Sequence, residues 1–352
     1  MNVRRDFLKQ VVGSALLAPS VGALSQSVFA AAPSLDIAPS PDIIDTHQHL
    51  WDLKKQKLPW LAGAPDILNR TYHLPEYREA TQGLNIKAIY MEVAVDASQL
   101  IEEAEHVIGL SRDSATQSIG ATQSIGATQT IGASQTIGAV IGSRPESAEF
   151  ADYITRFKSV PEVKGVRRVL HEKDTPAGLC LQQEFIKSVR KLGELGRSFD
   201  LCMRPKELSD GAKLTELCPE THFIVDHCGN ADPKSFRKLP GVTVEPSHSV
   251  EEWKSGIEKL GKRANVICKI SGVIASLPKD GDANDLAPIV NFCLDTFGPD
   301  RVVFGSDWPV CLLGGPLKTW VNMLTQIISS RSRAEQQKLW SGNAVRHYGL
   351  KI

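Results

Sequence analysis

Ile43-Ile44-Asp45-Thr46-His47-Gln48-His49 is an apolar pair that runs straight into a carboxylate and two histidines. In an extended strand successive side chains point to opposite faces, so His47 and His49 are expected to share one face. Two imidazoles side by side at a strand end can hold a metal, or can polarise and protonate a substrate oxygen. Near the other end of the chain, Val302-Val303-Phe304-Gly305-Ser306-Asp307-Trp308-Pro309 has the same form, an apolar run ending in a carboxylate. Barrel enzymes gather their chemistry from the ends of several strands, so the two segments are expected to share one site.

Between these segments, apolar runs of strand length alternate with amphipathic stretches. The predicted strands are Ile43–His49, Ile86–Val93, Ile137–Ser143, Val163–Leu170, Phe199–Arg204, His222–His227, Asn265–Ile270 and Arg301–Ser306. The intervening segments carry helical spacing, as in Phe185-Ile186…Val189…Leu192 and Ile289-Val290…Cys293-Leu294. Strand–helix alternation implies parallel strands joined by right-handed crossovers. Eight such units predict an α/β fold, a (β/α)8 TIM barrel in a single domain.

The N-terminus reads as separate from that fold. Arg4-Arg5-Asp6-Phe7-Leu8-Lys9 precedes a weakly apolar stretch from Val11 to Phe29 and the small residues Ala30-Ala31-Ala32. This is the charged, apolar and small-residue order of an export signal, and the paired arginines resemble a twin-arginine signal. Gly13, Ser14, Pro19, Ser20 and Gly22 interrupt the apolar stretch and argue against a membrane span. The expectation is a signal peptide over 1–32, cleaved near Ala30 or Ala32, and an exported, periplasmic barrel domain over 33–352. About 320 residues remain, enough for one barrel of about 250.

Lysine plus arginine equals aspartate plus glutamate, 40 against 40, which gives no basic surface for nucleic acid or anionic lipid. The sequence does not fix the oligomeric state. Seven cysteines are scattered with no Cys-x-x-Cys pair, so a zinc ribbon or redox motif is excluded. Ile267-Cys268 and Phe292-Cys293 lie in apolar runs, where cysteine acts as a small hydrophobe. From Ala115 to Gly138 the hexapeptide Ala-Thr-Gln-Ser-Ile-Gly recurs four times with Ser/Thr exchanges. Four short copies are too few for a β-helix. The tract reads as an expanded loop at the base of the barrel, its last copy feeding the third strand. A partner-binding tract is the functional alternative.

The predicted strand ends carry His47 and His49; Glu92; Arg167, Arg168 and His171; Cys202 and Arg204; Asp226 and His227; Lys269 and Ser271; and Asp307 with Trp308. Buried charge is costly unless paired or functional, so seven polar strand ends out of eight read as a catalytic mouth. Alternation turns one of Arg167 and Arg168 outward. For Glu92 and Lys269 a buried ion pair stands beside direct substrate contact. His73, His106, His222, His248 and His347 fall off the mouth.

Asp45-Thr46-His47-Gln48-His49-Leu50-Trp51-Asp52, Gly165–Leu170, Phe199–Pro205, Val225–Gly229, Cys268–Gly272 and Phe304–Pro309 occur in this order. Together they resemble amidohydrolase-related family 2 of the TIM-barrel hydrolases, in particular the branch of L-fuconolactonase and related sugar-acid lactonases. The likeness runs from about Asp42 to Leu350 and leaves the repeat tract without a counterpart. It implies a lactone-opening hydrolase with Asp307 as the general base, and with His47, His49 and His227 around the carbonyl oxygen. Arg204 and Arg167 would hold hydroxyls or the new carboxylate, and Trp308 and Trp51 would lie against the sugar ring. An amide hydrolase, a metal-dependent decarboxylase and a non-catalytic exported binding protein are the competing readings.

Related metal-dependent barrels add a histidine on the fifth strand, where this chain has Cys202 and Arg204. A guanidinium there repels a divalent cation. His47, His49 and Asp307 still offer a three-ligand set. The expected cofactor is therefore none, or a single divalent metal such as zinc.

Overall fold

The computed structural model describes residues 41–121, 135–172, 175–237, 245–277 and 280–351. The proposed leader and residues 122–134 of the repeat tract lie outside these. The eight expected strands are present: β1 Ile43–Gln48, β2 Ile86–Met91, β3 Gln135–Gly142, β4 Val163–Val169, β5 Ser198–Cys202, β6 His222–Val225, β7 Val266–Ile270 and β8 Val302–Phe304. Every neighbouring pair is parallel and the order around the sheet follows the chain. Most strands end one or two residues before the sequence-based limits, because the polar residues at their ends have already left the ladder.

The first and last strands meet through side chains as much as backbone. Gln48 bridges Trp308, and the His49 N–H donates to the Trp308 carbonyl at 2.8 Å. Asp45 completes the seam. Its Oδ1 accepts from the Ser306 N–H at 2.7 Å, and its Oδ2 accepts from the Ser306 hydroxyl at 2.5 Å and the Tyr77 hydroxyl at 2.7 Å.

One main helix follows each strand: α1 Leu74–Ala80, α2 Leu100–Ala121, α3 Phe150–Thr155, α4 Gln183–Glu194, α5 Leu208–Leu217, α6 Val250–Gly261, α7 Ala283–Phe297 and α8 Leu317–Ile327. Their local signals are ordinary. Phe185, Val189 and Leu192 recur at helical spacing and are buried. Ser249 caps α6 by accepting from the Glu252 N–H, and Asp282 and Asp285 cap α7 reciprocally. The apolar side chains form two layers. A large outer core joins strands to helices. A small inner core of Ile44, Ile89, Met91, Val140, Ile224, Ile267 and Val303 is closed by Ala344, Tyr348 and Leu350 from the C-terminus. Asn343 holds this plug at the strand starts by donating to the carbonyls of Pro299 and Val302, both at 2.8 Å. The opposite end, where the strands finish, carries the polar groups. Among the described residues no helix is long and apolar enough to cross a membrane.

The loop expected over 115–138 is corrected at its first copy, while its last copy feeds the third strand as expected. The first hexapeptide copy continues α2 to Ala121, since extending an existing helix is far easier than nucleating one. The last copy enters β3 from Gln135, two residues before the sequence-based limit. Both junctions lie at the strand starts, away from the polar end. Deleting the two middle copies, Ala121–Gly126 and Ala127–Gly132, is expected to leave the circular dichroism spectrum and turnover near those of the full chain. A collapse of turnover in a folded deletion variant would contradict the placement of these junctions.

Candidate active site

Ile44 already faces the inner core, yet His47, three residues later, faces the barrel interior too. Strict alternation forbids this. The β1–β2 register shifts between Asp45 and Gln48, and that irregularity turns both histidines inward. Their rings meet edge to face at 4.8 Å. Two glycines clear space around the site. A Cβ on Gly305 would lie 2.8 Å from the His47 Cβ. One on Gly272, whose φ is +71°, would lie 2.4 Å from the His227 Nδ1.

Asp307 sits just past β8 with φ 57° and a nearly buried carboxylate. Its Oδ1 is 3.3 Å from the His49 Nε2 and 3.7 Å from the His47 Nε2. The His49 Nδ1 faces the Met91 carbonyl at 2.9 Å, and a carbonyl only accepts, so this nitrogen carries the proton. The His49 Nε2 is the nitrogen that faces the Asp307 carboxylate oxygen. That contact is favourable only with a proton or a cation between the two. The His227 ring, partly exposed, lies 4.4 Å from that of His47, and its Nδ1 is 3.0 Å from the Ser271 hydroxyl. Burial holds the His227 pKa below its ordinary value, against the pull of Asp307 and Asp226.

Beneath these four residues lies a lattice of buried charge. The Arg167 Nε donates to the Glu92 Oε1 at 2.5 Å, its Nη2 to the Glu92 carbonyl at 2.7 Å, and its Nη1 lies 3.1 Å from the His47 Nε2. The Lys269 ammonium is 2.7 Å from Asp200, 2.9 Å from Asp226 and 3.3 Å from the His47 Nδ1. Burial, and next the Lys269 charge, hold the His47 pKa well below its ordinary value, so the ring is neutral near pH 7. Burial favours the neutral form of Glu92 too, but the Arg167 guanidinium and the Ala94 N–H more than offset it, and its pKa is lowered. Asp226 is held well below the carboxylate range, despite burial, by the Lys269 ammonium. Burial raises Asp200 in spite of the same lysine.

The structure brings His47, His49, His227 and Asp307 together as the sequence suggested. Arg167 and Glu92 reach the same centre but are bonded to each other, and Lys269 is committed to two aspartates. Arg168 points outward to Glu146 at 2.9 Å, as alternation required. Arg204 is spent on the loop after β4, donating to the Leu170, Glu172 and Thr175 carbonyls and to Glu207. Trp308 packs against Tyr72 and Tyr77, and Trp51 against Trp60 and Tyr72, with both rings almost fully buried. These three side chains are built into the walls by such contacts. A cavity of about 520 Å³ lined by Trp51, His73, Glu103 and His106 contains none of the four central residues. Asp45, Asp200, Ser271 and Ser306 were not singled out as site residues, Ser271 only marking a strand end. For Asp200 the signal is a carboxylate embedded in the apolar run Phe199-Asp200-Leu201, and for Asp45 its place at the head of the histidine motif.

The donor set speaks against a firmly held divalent metal. Of His47, His49 and Asp307, whose ligand atoms cluster, His47 presents its Nε2 to a guanidinium rather than to open space. A cation there would sit against Arg167. The neighbouring set of His47, Asp226 and His227 already holds the Lys269 ammonium. The residues present fit a metal poorly.

Glu103, on α2, supports this lattice from outside. Its Oε1 accepts from the Tyr90 hydroxyl and the Val93 N–H, both at 2.8 Å. Burial, helped by the Glu92 charge, pushes its pKa up to about 8. The folded protein thus keeps a proton that the unfolded chain loses above the ordinary carboxylate pKa, so this residue's contribution to stability falls as pH rises from about 4.5 to 8. Melting temperatures of the wild type and Glu103→Gln, read from pH 5 to 8, should diverge, the wild type losing more with rising pH. Parallel curves would contradict the protonated Glu103.

The family profile described as amidohydrolase matches residues 44–350. L-fucono-1,5-lactonase of Burkholderia multivorans is 24% identical over 314 residues, covering 87% of this chain and 96% of the relative. L-rhamnono-gamma-lactonase of Scheffersomyces stipitis is 22% identical over 343 residues, covering 88% and 98%. The crystal structure of an amidohydrolase from Burkholderia multivorans with bound zinc superposes with a TM-score of 0.72 at 22% identity, covering 88% of this chain and 99% of that one. With eight parallel strands in sequential order and a profile match across nearly all of the described barrel, the chain belongs to the amidohydrolase family.

Proposed function

We propose that this protein hydrolyses the lactone of a sugar acid by base-assisted attack of water on the ring carbonyl. The observation that carries the reading is the convergence of Asp307 from β8 with His47 and His49 from β1, beside His227 from β6. The two lactonases among the relatives support the choice of a lactone over an amide.

The chemistry follows from the placement of protons. A water between the substrate carbonyl and Asp307 gives its proton to the carboxylate as its oxygen adds to carbon. The His49 Nε2, within 3.3 Å of the same carboxylate, shares that proton. The tetrahedral oxyanion needs donors, and the partly exposed His227 ring borders the space in front of His47 where it would form. When the ring C–O bond breaks, the shared proton returns to the departing oxygen and the product is a hydroxy acid. No step needs a metal, and zinc in the Burkholderia structure is a property of that protein. The arginine pair at the N-terminus supports a site of action outside the cytoplasm.

Asp307→Asn should keep the fold and lower kcat by roughly 10²-fold or more, a loss of general-base size. The assay is acid release from a panel of aldonolactones followed with a pH indicator, with circular dichroism as the folding control. Wild-type turnover should be unchanged by a chelator. Near-normal turnover of the variant would remove Asp307 from the chemistry.

A further inference from the structure

Three cysteines that this chemistry does not use converge directly behind it. Cys228 follows His227 in the turn after β6, Cys268 precedes Lys269 on β7, and Cys293 lies on α7. Their sulfurs all lie within 4.8 Å of one another. None has any exposed surface, and none is in a disulfide.

A buried cysteine is ordinarily a small hydrophobe. Two features set this trio apart. Three thiols from three separate elements meet at one point, although the chain has only seven. Cys228 also sits in left-handed backbone, φ 52° and ψ 35°, a conformation that disfavours any residue with a Cβ. Glycine would fit there more easily, yet the chain keeps a side chain that reaches the other two. The thiols of Cys228 and Cys268 turn to one acceptor, the Lys269 carbonyl, at 3.9 and 4.0 Å.

We propose that Cys228, Cys268 and Cys293 form a three-thiolate site for a soft monovalent cation of the Cu(I) type. Sulfur donors select such ions, and the trio contains no carboxylate or imidazole to favour a harder one. With metal–sulfur bonds of about 2.3 Å, three sulfurs around a trigonal ion stand about 4 Å apart. The observed upper limit of 4.8 Å therefore needs only a small contraction. Zinc completes four ligands and would have to recruit the Lys269 carbonyl. Loading is an exchange in which the ion enters and thiol protons leave to solvent, with no change of oxidation state. The site lies one residue from both His227 and Lys269, within the frame that positions His47.

The test is a titration of the reduced, full-length protein with Cu(I) supplied as its coloured bathocuproine complex. The protein should withdraw one equivalent, and X-ray absorption should show a shell of three sulfurs near 2.3 Å. Cys293→Ala should weaken binding by at least about 100-fold, because losing even an outer-shell partner costs about 10–100-fold. Cys180→Ala removes a buried thiol outside the trio and should bind as the wild type does. Should Cys293→Ala fail to fold, the wild-type absorption spectrum decides alone. Failure to withdraw copper, a shell containing nitrogen or oxygen, undiminished binding by folded Cys293→Ala, or a thiol count showing two of the three already joined would each overturn the proposal. None of these outcomes bears on lactone hydrolysis, which the panel assay reads separately.

Discussion

The site depends on two cations buried in the barrel under His47. Arg167 and Lys269 approach the imidazole from opposite nitrogens, at 3.1 and 3.3 Å, and are themselves held by Glu92, Asp200 and Asp226. A neutral imidazole has only one lone pair on its two nitrogen edges, so both nitrogens cannot accept at once, and a second N–H proton on the ring would be repelled from both sides. The lattice therefore fixes the charge of His47 as well as its position. Such lattices are rigid because they are unforgiving. Removing one partner of a buried pair costs about 3–5 kcal/mol, since the charge left behind has no water to return to.

A neutral ring beside Asp307 has a chemical consequence. The carboxylate faces the His49 Nε2 at 3.3 Å, and the neutral His47 gives it no cation. It is thus left ready to take a proton, which an ion pair with a charged His47 would discourage. The same arrangement accounts for the poor fit of a divalent metal. The place where such an ion would draw on His47 is already electropositive.

Most of this was legible in the sequence because the barrel repeats one simple unit. Short apolar runs such as Val302-Val303-Phe304 and Phe223-Ile224-Val225, set between amphipathic stretches, read as strands, and the polar residues after them gather at one end. What could not be read were events that break a pattern or need a partner. The register shift after Asp45 has no local signature, and the two histidines face inward because of it. Asp45 itself looked like part of the histidine motif, yet it stitches β1 to Ser306 and so closes the barrel. Arg204, Trp51 and Trp308 have side chains that suit a sugar, but residue type does not tell a wall from an open face. Their partners, the Leu170 carbonyl and the Tyr72 ring, come from remote segments. The first hexapeptide copy is helix and not loop because the helix before it extends into it.

The central claim is that buried cations keep His47 uncharged beside Asp307. Nitrogen-15 NMR of the histidine side chains, with His47→Gln to assign the ring, reads this directly. The claim predicts that the His47 resonances remain those of a neutral imidazole at pH 6, with protonation only well below the ordinary histidine value. Imidazolium shifts growing in with a midpoint near 6.5 would contradict it.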